Sequence, residues 1–141
     1  YRDVVGKLIS RAKHDVDVIN AFPNPKQARN DENRAHIRGM IKTMASSIVY
    51  SNTDTAPEKF TGIAPRLDAL ATTTNVLNAG GSGSDCTSIY VVTWGQDTAR
   101  MLYGRNGSAG IKHEDRGVQT VVDGSNGDLE VYMDKFTWSK I

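Results

Sequence analysis

The residues best equipped for chemistry lie between positions 103 and 128, in YGRNGSAGIKHEDRGVQTVVDGSNGD. Gly104, Gly107 and Gly110 precede Lys112, Ser108 stands among small residues, and His113 is followed by Glu114 and Asp115. Glycines leading to a lysine are the ingredients of a phosphate loop. That motif needs the lysine directly after its last glycine and then a hydroxyl to reach the metal. Here Ile111 intervenes and His113 occupies the hydroxyl position, so the segment reads as a turn-forming loop. NGSAG, residues 106–110, is close to the nucleophile elbow G-x-S-x-G, with Asn106 where the first glycine should be. Ser108 with His113 as its base therefore defines a small-hydrolase alternative. The histidine follows only five residues later, whereas the usual base comes from a separate loop.

The remaining chemical signals are weaker. Three consecutive residues such as His113, Glu114 and Asp115 point in different directions on a strand or a helix, and zinc sites take spaced ligands from one face. His14 and His36 have charged neighbours and no second histidine four residues away. GGSGSD, residues 80–85, has Cys86 in place of the third glycine of a dinucleotide fingerprint, and a strand-like run follows it instead of preceding it. Asn106-Gly107-Ser108 is a formal glycosylation sequon, which matters only after secretion. No catalytic residue, cofactor site or metal site is assigned.

The elements that must position these residues are those of one domain. A chain of 141 residues can bury roughly 68% of its unfolded surface. Seventeen basic residues against sixteen acidic leave a net charge of +1, without the basic excess of a dedicated nucleic-acid binder. A third hypothesis, a nucleic-acid binder, rests only on the basic row of Arg34, Arg38 and Lys42. No apolar run approaches the ~20 residues of a membrane helix. Cys86 is the single cysteine, which precludes an internal disulfide and fits a reducing folding compartment. The chain starts at Tyr1 and stops at Ile141 after an aromatic strand-like run, which reads as part of a longer product.

Val4, Val5, Leu8, Ile9, Ala12, Val16 and Ile19 recur at spacings of three and four, which predicts an amphipathic helix over about 4–20 with Asp3 as its cap. FPNP, residues 22–25, breaks it. Ile37, Met40, Ile41, Met44, Ala45, Ile48 and Val49 form a second stripe, predicting a long helix over about 30–50. Residues 51–70 are turn-rich, residues 78–88 read as a flexible loop, and SIYVVTWG, residues 88–95, reads as a buried strand. GVQTVV and LEVYMDKFTW flank DGSNGD, whose Asp-Gly and Asn-Gly pairs predict a hairpin. Helices first and strands after imply an α+β arrangement.

Taken in order, these segments resemble one family. APEKFTGIAP after the long helix, GGSGSDCTSIYVVTWG, and GSAGIKHEDRG before the hairpin are similar to motifs of the major capsid proteins of tailed double-stranded DNA phages, in the short-tailed branch. The likeness spans residues 30–138 and departs at YGRN, residues 103–106. It implies the Hong Kong-type phage major capsid fold: a long spine helix in a peripheral domain plus a mixed-sheet axial domain. Residues 1–60 would be the helical part of the peripheral domain, with the spine helix at about 30–50. Residues 61–141 would supply axial-domain and remaining peripheral-domain strands and loops. An N-terminal arm, most of an extended loop and the last strand would lie outside this chain.

The function implied is a structural subunit of an icosahedral head that encloses packaged DNA, assembled in the bacterial host cytoplasm and resident in the virion. Its partners would be copies of itself in hexamers and pentamers, scaffolding, portal or decoration proteins, and DNA held non-specifically on the inner face. No membrane is involved. On this reading residues 103–128 build a surface, and Lys112, Glu114, Asp115 and Arg116 are candidate intersubunit contacts.

Overall fold

The computed structural model describes residues 5–67, 75–78, 80, 84–102, 105, 110–124 and 127–138. In chain order these form strand β1 (Leu8–Asp15), helix α1 (Val16–Asn20), helix α2 (Pro25–Tyr50), the one-turn helix α3 (Ile63–Arg66), and strands β2 (Ile111–Asp123) and β3 (Gly127–Trp138). The expected α+β class is present. The described sheet has the order β1-β3-β2 and is antiparallel throughout, where a mixed sheet was expected.

The helix expected over 4–20 is corrected: its described part is a strand followed by a short helix. Leu8, Ser10, Ala12 and His14 turn inward while Ile9, Arg11 and Lys13 are exposed, a period of two hidden inside apolar spacings that also fit a helix. Pairing from Leu8↔Trp138 to Asp15↔Val131 decided between the two periods. Asp15 caps the short helix α1: its side chain accepts from the N–H groups of Asp17 and Val18. Asp3 lies outside the described residues.

Helix α2 starts five residues earlier than expected. Asn24 caps it by accepting from the Gln27 N–H, and Pro25 fits the first helical position, where an N–H would be unbonded anyway. Its 26 residues make a rod of about 39 Å. Met40 and Met44 of the expected stripe are buried, but Ile41 is 49% exposed.

β2 and β3 form the predicted hairpin, longer than the sequence indicated, closing at Asp123↔Gly127. A bulge between Asp115 and Val118 shifts the register. Gly117 takes φ +69° there, a left-handed conformation that a side chain would oppose, and its N–H bonds the Asp115 carboxylate. Ala12, Met40 and Phe136 centre the core, with Leu8, Ile37, Ile111 and Trp138 packed around them, so α2 covers one face of the sheet.

The buried strand expected at 88–95 is absent. Ile89 is 89% and Val91 90% exposed, and the run ends in one isolated bridge, Trp94↔Ala99. β-branched residues favour a strand only where a pleated, half-buried surface receives them. Among the described residues no strand does.

Candidate functional site

The chemistry-bearing residues converge on Asp134, in the middle of β3. Tyr132, Asp134, Phe136 and Trp138 alternate on the face toward α2, which puts a carboxylate into an otherwise aromatic row. Asp134 is 1% exposed. An ionised carboxylate there needs donors from every side. Arg29 and Asn33, one turn apart on α2, provide two of them to Oδ2: Arg29 Nε at 2.8 Å and Asn33 Nδ2 at 2.9 Å. His113 of β2 donates from Nε2 to Oδ1 at 2.6 Å while its ring stacks on Phe136, centroids 4.8 Å apart.

The network extends outward from there. Arg29 Nη2 reaches Asp115 Oδ1 at 2.7 Å, and the guanidinium carbon lies 4.9 Å from the centre of the Tyr132 ring. The Asn33 side-chain oxygen accepts from His14 Nε2 at 3.2 Å, and the His14 ring meets that of His36 edge-on. All three histidines therefore lie along the α2–sheet seam. Among the described residues, no buried side-chain nitrogen or oxygen lacks a hydrogen-bond partner.

Charge follows the geometry. Burial pushes the Asp134 carboxyl up, but the bonds from Arg29, Asn33 and His113 outweigh it and hold the group below the ordinary carboxylate range. Asp115 is also held low, first by Arg29 and then by the Gly117 N–H. Burial lowers Arg29, and its bonds to the two carboxylates more than reverse that.

The structure brings His113 and Asp115 of the singled-out segment together through partners in α2 and β3. Glu114 points the other way, with Arg116 at 2.9 Å and Lys135 at 3.9 Å. Lys112 is exposed and makes no ion pair with a described residue. The expected mixed-charge edge is thus partly satisfied within the chain. Ser108, Gly104 and Gly107 lie outside the described residues, as do Gly81 and Gly83 of the loop read as flexible. Arg34, Arg38 and Lys42 are exposed on α2, and Arg34 pairs with Asp31 at 3.3 Å.

Sequence reasoning missed Arg29, Asn33 and Asp134. The available signal was Asp134 itself, an acid at an inward position of a strand, which implies a basic partner elsewhere. The arrangement clamps a helix to a sheet: Asp134 is saturated by three donors, and His113 spends one ring nitrogen holding it.

A family model described as "Major capsid protein GP7" matches residues 1–140. No curated protein matches the chain.

Proposed function

The chain belongs to the major capsid protein GP7 family, structural proteins of the phage virion, and from that premise we propose that it is the repeating subunit of an icosahedral head. The carrying observation is the family match over residues 1–140 of a 141-residue chain. We read α2 as the spine helix of a peripheral domain and the β1-β3-β2 sheet as that domain's strands, the whole built on the Hong Kong-type plan. Residues 61–110 would then contribute mainly to the axial domain. Two features support this: a rod of about 39 Å, and the clamp that locks its first half to the sheet.

The subunit would form hexamers and pentamers in the host cytoplasm with scaffolding, portal or decoration proteins, and enclose DNA non-specifically. Near-zero net charge suits it, since like-charged copies packed side by side repel. Lys112, Glu114, Asp115 and Arg116 would contribute to contacts between copies. His113 acts here as a structural partner of Asp134 and not as a general base. No helix among the described residues is long and apolar enough to cross a membrane.

Electron microscopy of the full-length protein, expressed alone or with its scaffold, tests the proposal. Closed shells are expected. Monodisperse small particles with esterase activity that is lost on Ser108→Ala would overturn it in favour of the hydrolase reading.

A further inference from the structure

The sheet has a second face, which α2 does not cover. Leu8, Ala12, Phe136 and Ile111 share the α2 side. By strand alternation Ile9, Arg11 and Lys13 of β1 and Lys112 of β2 therefore point to the other side. Ile9 is 43% exposed and the three basic residues are exposed. Arg11, Lys13 and Lys112 make no ion pair with any described residue. Ile9 stands opposite Thr137 and Lys112 opposite the same Thr137, so the basic groups frame Ile9 across two strand spacings, about 10 Å.

A surface of opposite character lies at the other end of the sheet. β1 pairs with β3 only over residues 131–138, so the rest of the hairpin projects past the end of β1. The register Val118↔Tyr132, Thr120↔Glu130 and Val122↔Asp128 puts Val118, Val122, Asp128 and Glu130 on one face, the α2 side. Val118 is 49% and Val122 81% exposed. Asp128 and Glu130 are exposed and make no ion pair with a described residue. The chain's net charge of +1 conceals this segregation: apolar with acidic at the tip, apolar with net basic on the uncovered face, where the acid Glu114 is already paired with Arg116 and Lys135.

We infer that the hairpin tip of one subunit docks on the uncovered sheet face of a second copy of this chain. Val118 and Val122 cover Ile9, while Asp128 and Glu130 meet Arg11, Lys13 and Lys112. The two surfaces differ and lie on opposite sides of the sheet, so the contact is head-to-tail, the type that forms a ring when the rotation between copies closes. The tip cannot reach its own sheet face. Ile9 pairs at Thr137 and Val122 at Asp128, nine residues apart along β3, or about 30 Å. The inference rests on the shell-subunit reading and names the partner of its surface.

Charge exchange in the full-length protein tests it. Asp128→Lys with Glu130→Lys, and separately Arg11→Glu with Lys13→Glu, are each expected to cut particle yield at least tenfold with monomer melting unchanged. The four substitutions together are expected to restore particles. A second measurement uses Ile9→Cys with Val122→Cys in a Cys86→Ser background, expected to give disulfide-linked multimers, because the span within one chain far exceeds disulfide reach. Normal particles from both charge reversals, or absence of linked multimers from assembled particles, would overturn the docking alone. Normal particles that fail to retain DNA when Arg11 and Lys13 are reversed would assign the basic face to nucleic acid and also overturn it. Failure of the unaltered chain to form particles would sink the shell-subunit reading, and this inference with it.

Discussion

Arg29 and Asp134 meet across the seam between α2 and β3, Nε to Oδ2 at 2.8 Å, at a carboxylate that is almost wholly buried. The same guanidinium holds Asp115 at 2.7 Å, but that side chain is 54% exposed. The two bonds have similar lengths and different energetic weight. Arg29→Met leaves a buried charge without its charge partner, which costs about 3–5 kcal/mol. Asp115→Asn removes an exposed partner, worth ~1 kcal/mol or less. Urea unfolding of the two variants should separate them by about 2 kcal/mol or more. Equal losses would show that the clamp does not hold α2.

Acid should release the clamp. Asp134 and Asp115 are both held below the ordinary carboxylate range. Their stabilisation is therefore fully present above the unfolded carboxylate range, about 4, and is lost as pH falls through the lower folded values. Melting temperature followed from pH 6 downward should stay level until about pH 4 and then drop. In Asp134→Asn the drop should be shallower. An unchanged slope in that variant would place the acid sensitivity elsewhere.

Gly62 lies close against the backbone of α2. Its N–H bonds the Ser51 carbonyl at 2.7 Å, and a Cβ there would meet the Val49 carbonyl carbon and oxygen and the Ser47 carbonyl oxygen, all at 2.9 Å. These are backbone atoms of the last turns of α2, so they cannot swing aside. Gly62→Ala should cost about 1–3 kcal/mol by overpacking, visible as a lower thermal midpoint. A neutral result would mean that the segment after α2 shifts freely.

Two apolar residues that look alike in the sequence should differ sharply on truncation. Phe136 is 1% exposed, sits in the core with Ala12 and Met40, and carries the His113 ring, so Phe136→Ala should cost about 3–5 kcal/mol. Ile41, in the expected stripe but 49% exposed, should lose under about 1 kcal/mol in Ile41→Ala as a surface change. Denaturant midpoints of both variants check this. A large loss at Ile41 in assembled particles only would instead mark a contact between copies.

The sequence by itself determined what depends on near neighbours. Met40 and Met44 fall on one helical face because 3.6 residues per turn leaves no other option, and Asn24 with Pro25 starts that helix by local hydrogen bonding, although FPNP read only as a break. DGSNGD between alternating runs made the hairpin legible, and the ordered motifs around it carried the family. Tertiary structure decided the rest. Residues 8–15 fit two periods, and only the β3 edge, more than a hundred residues away, selected the strand. SIYVVTWG has the propensity of a buried strand, yet none of the described strands pairs with it. Asp134 announced a missing partner without naming it, because Arg29 is joined to it through space and not through any local spacing. A residue's own propensity acts over a few neighbours, whereas a buried charge is satisfied by whatever donor the completed fold brings within 3 Å.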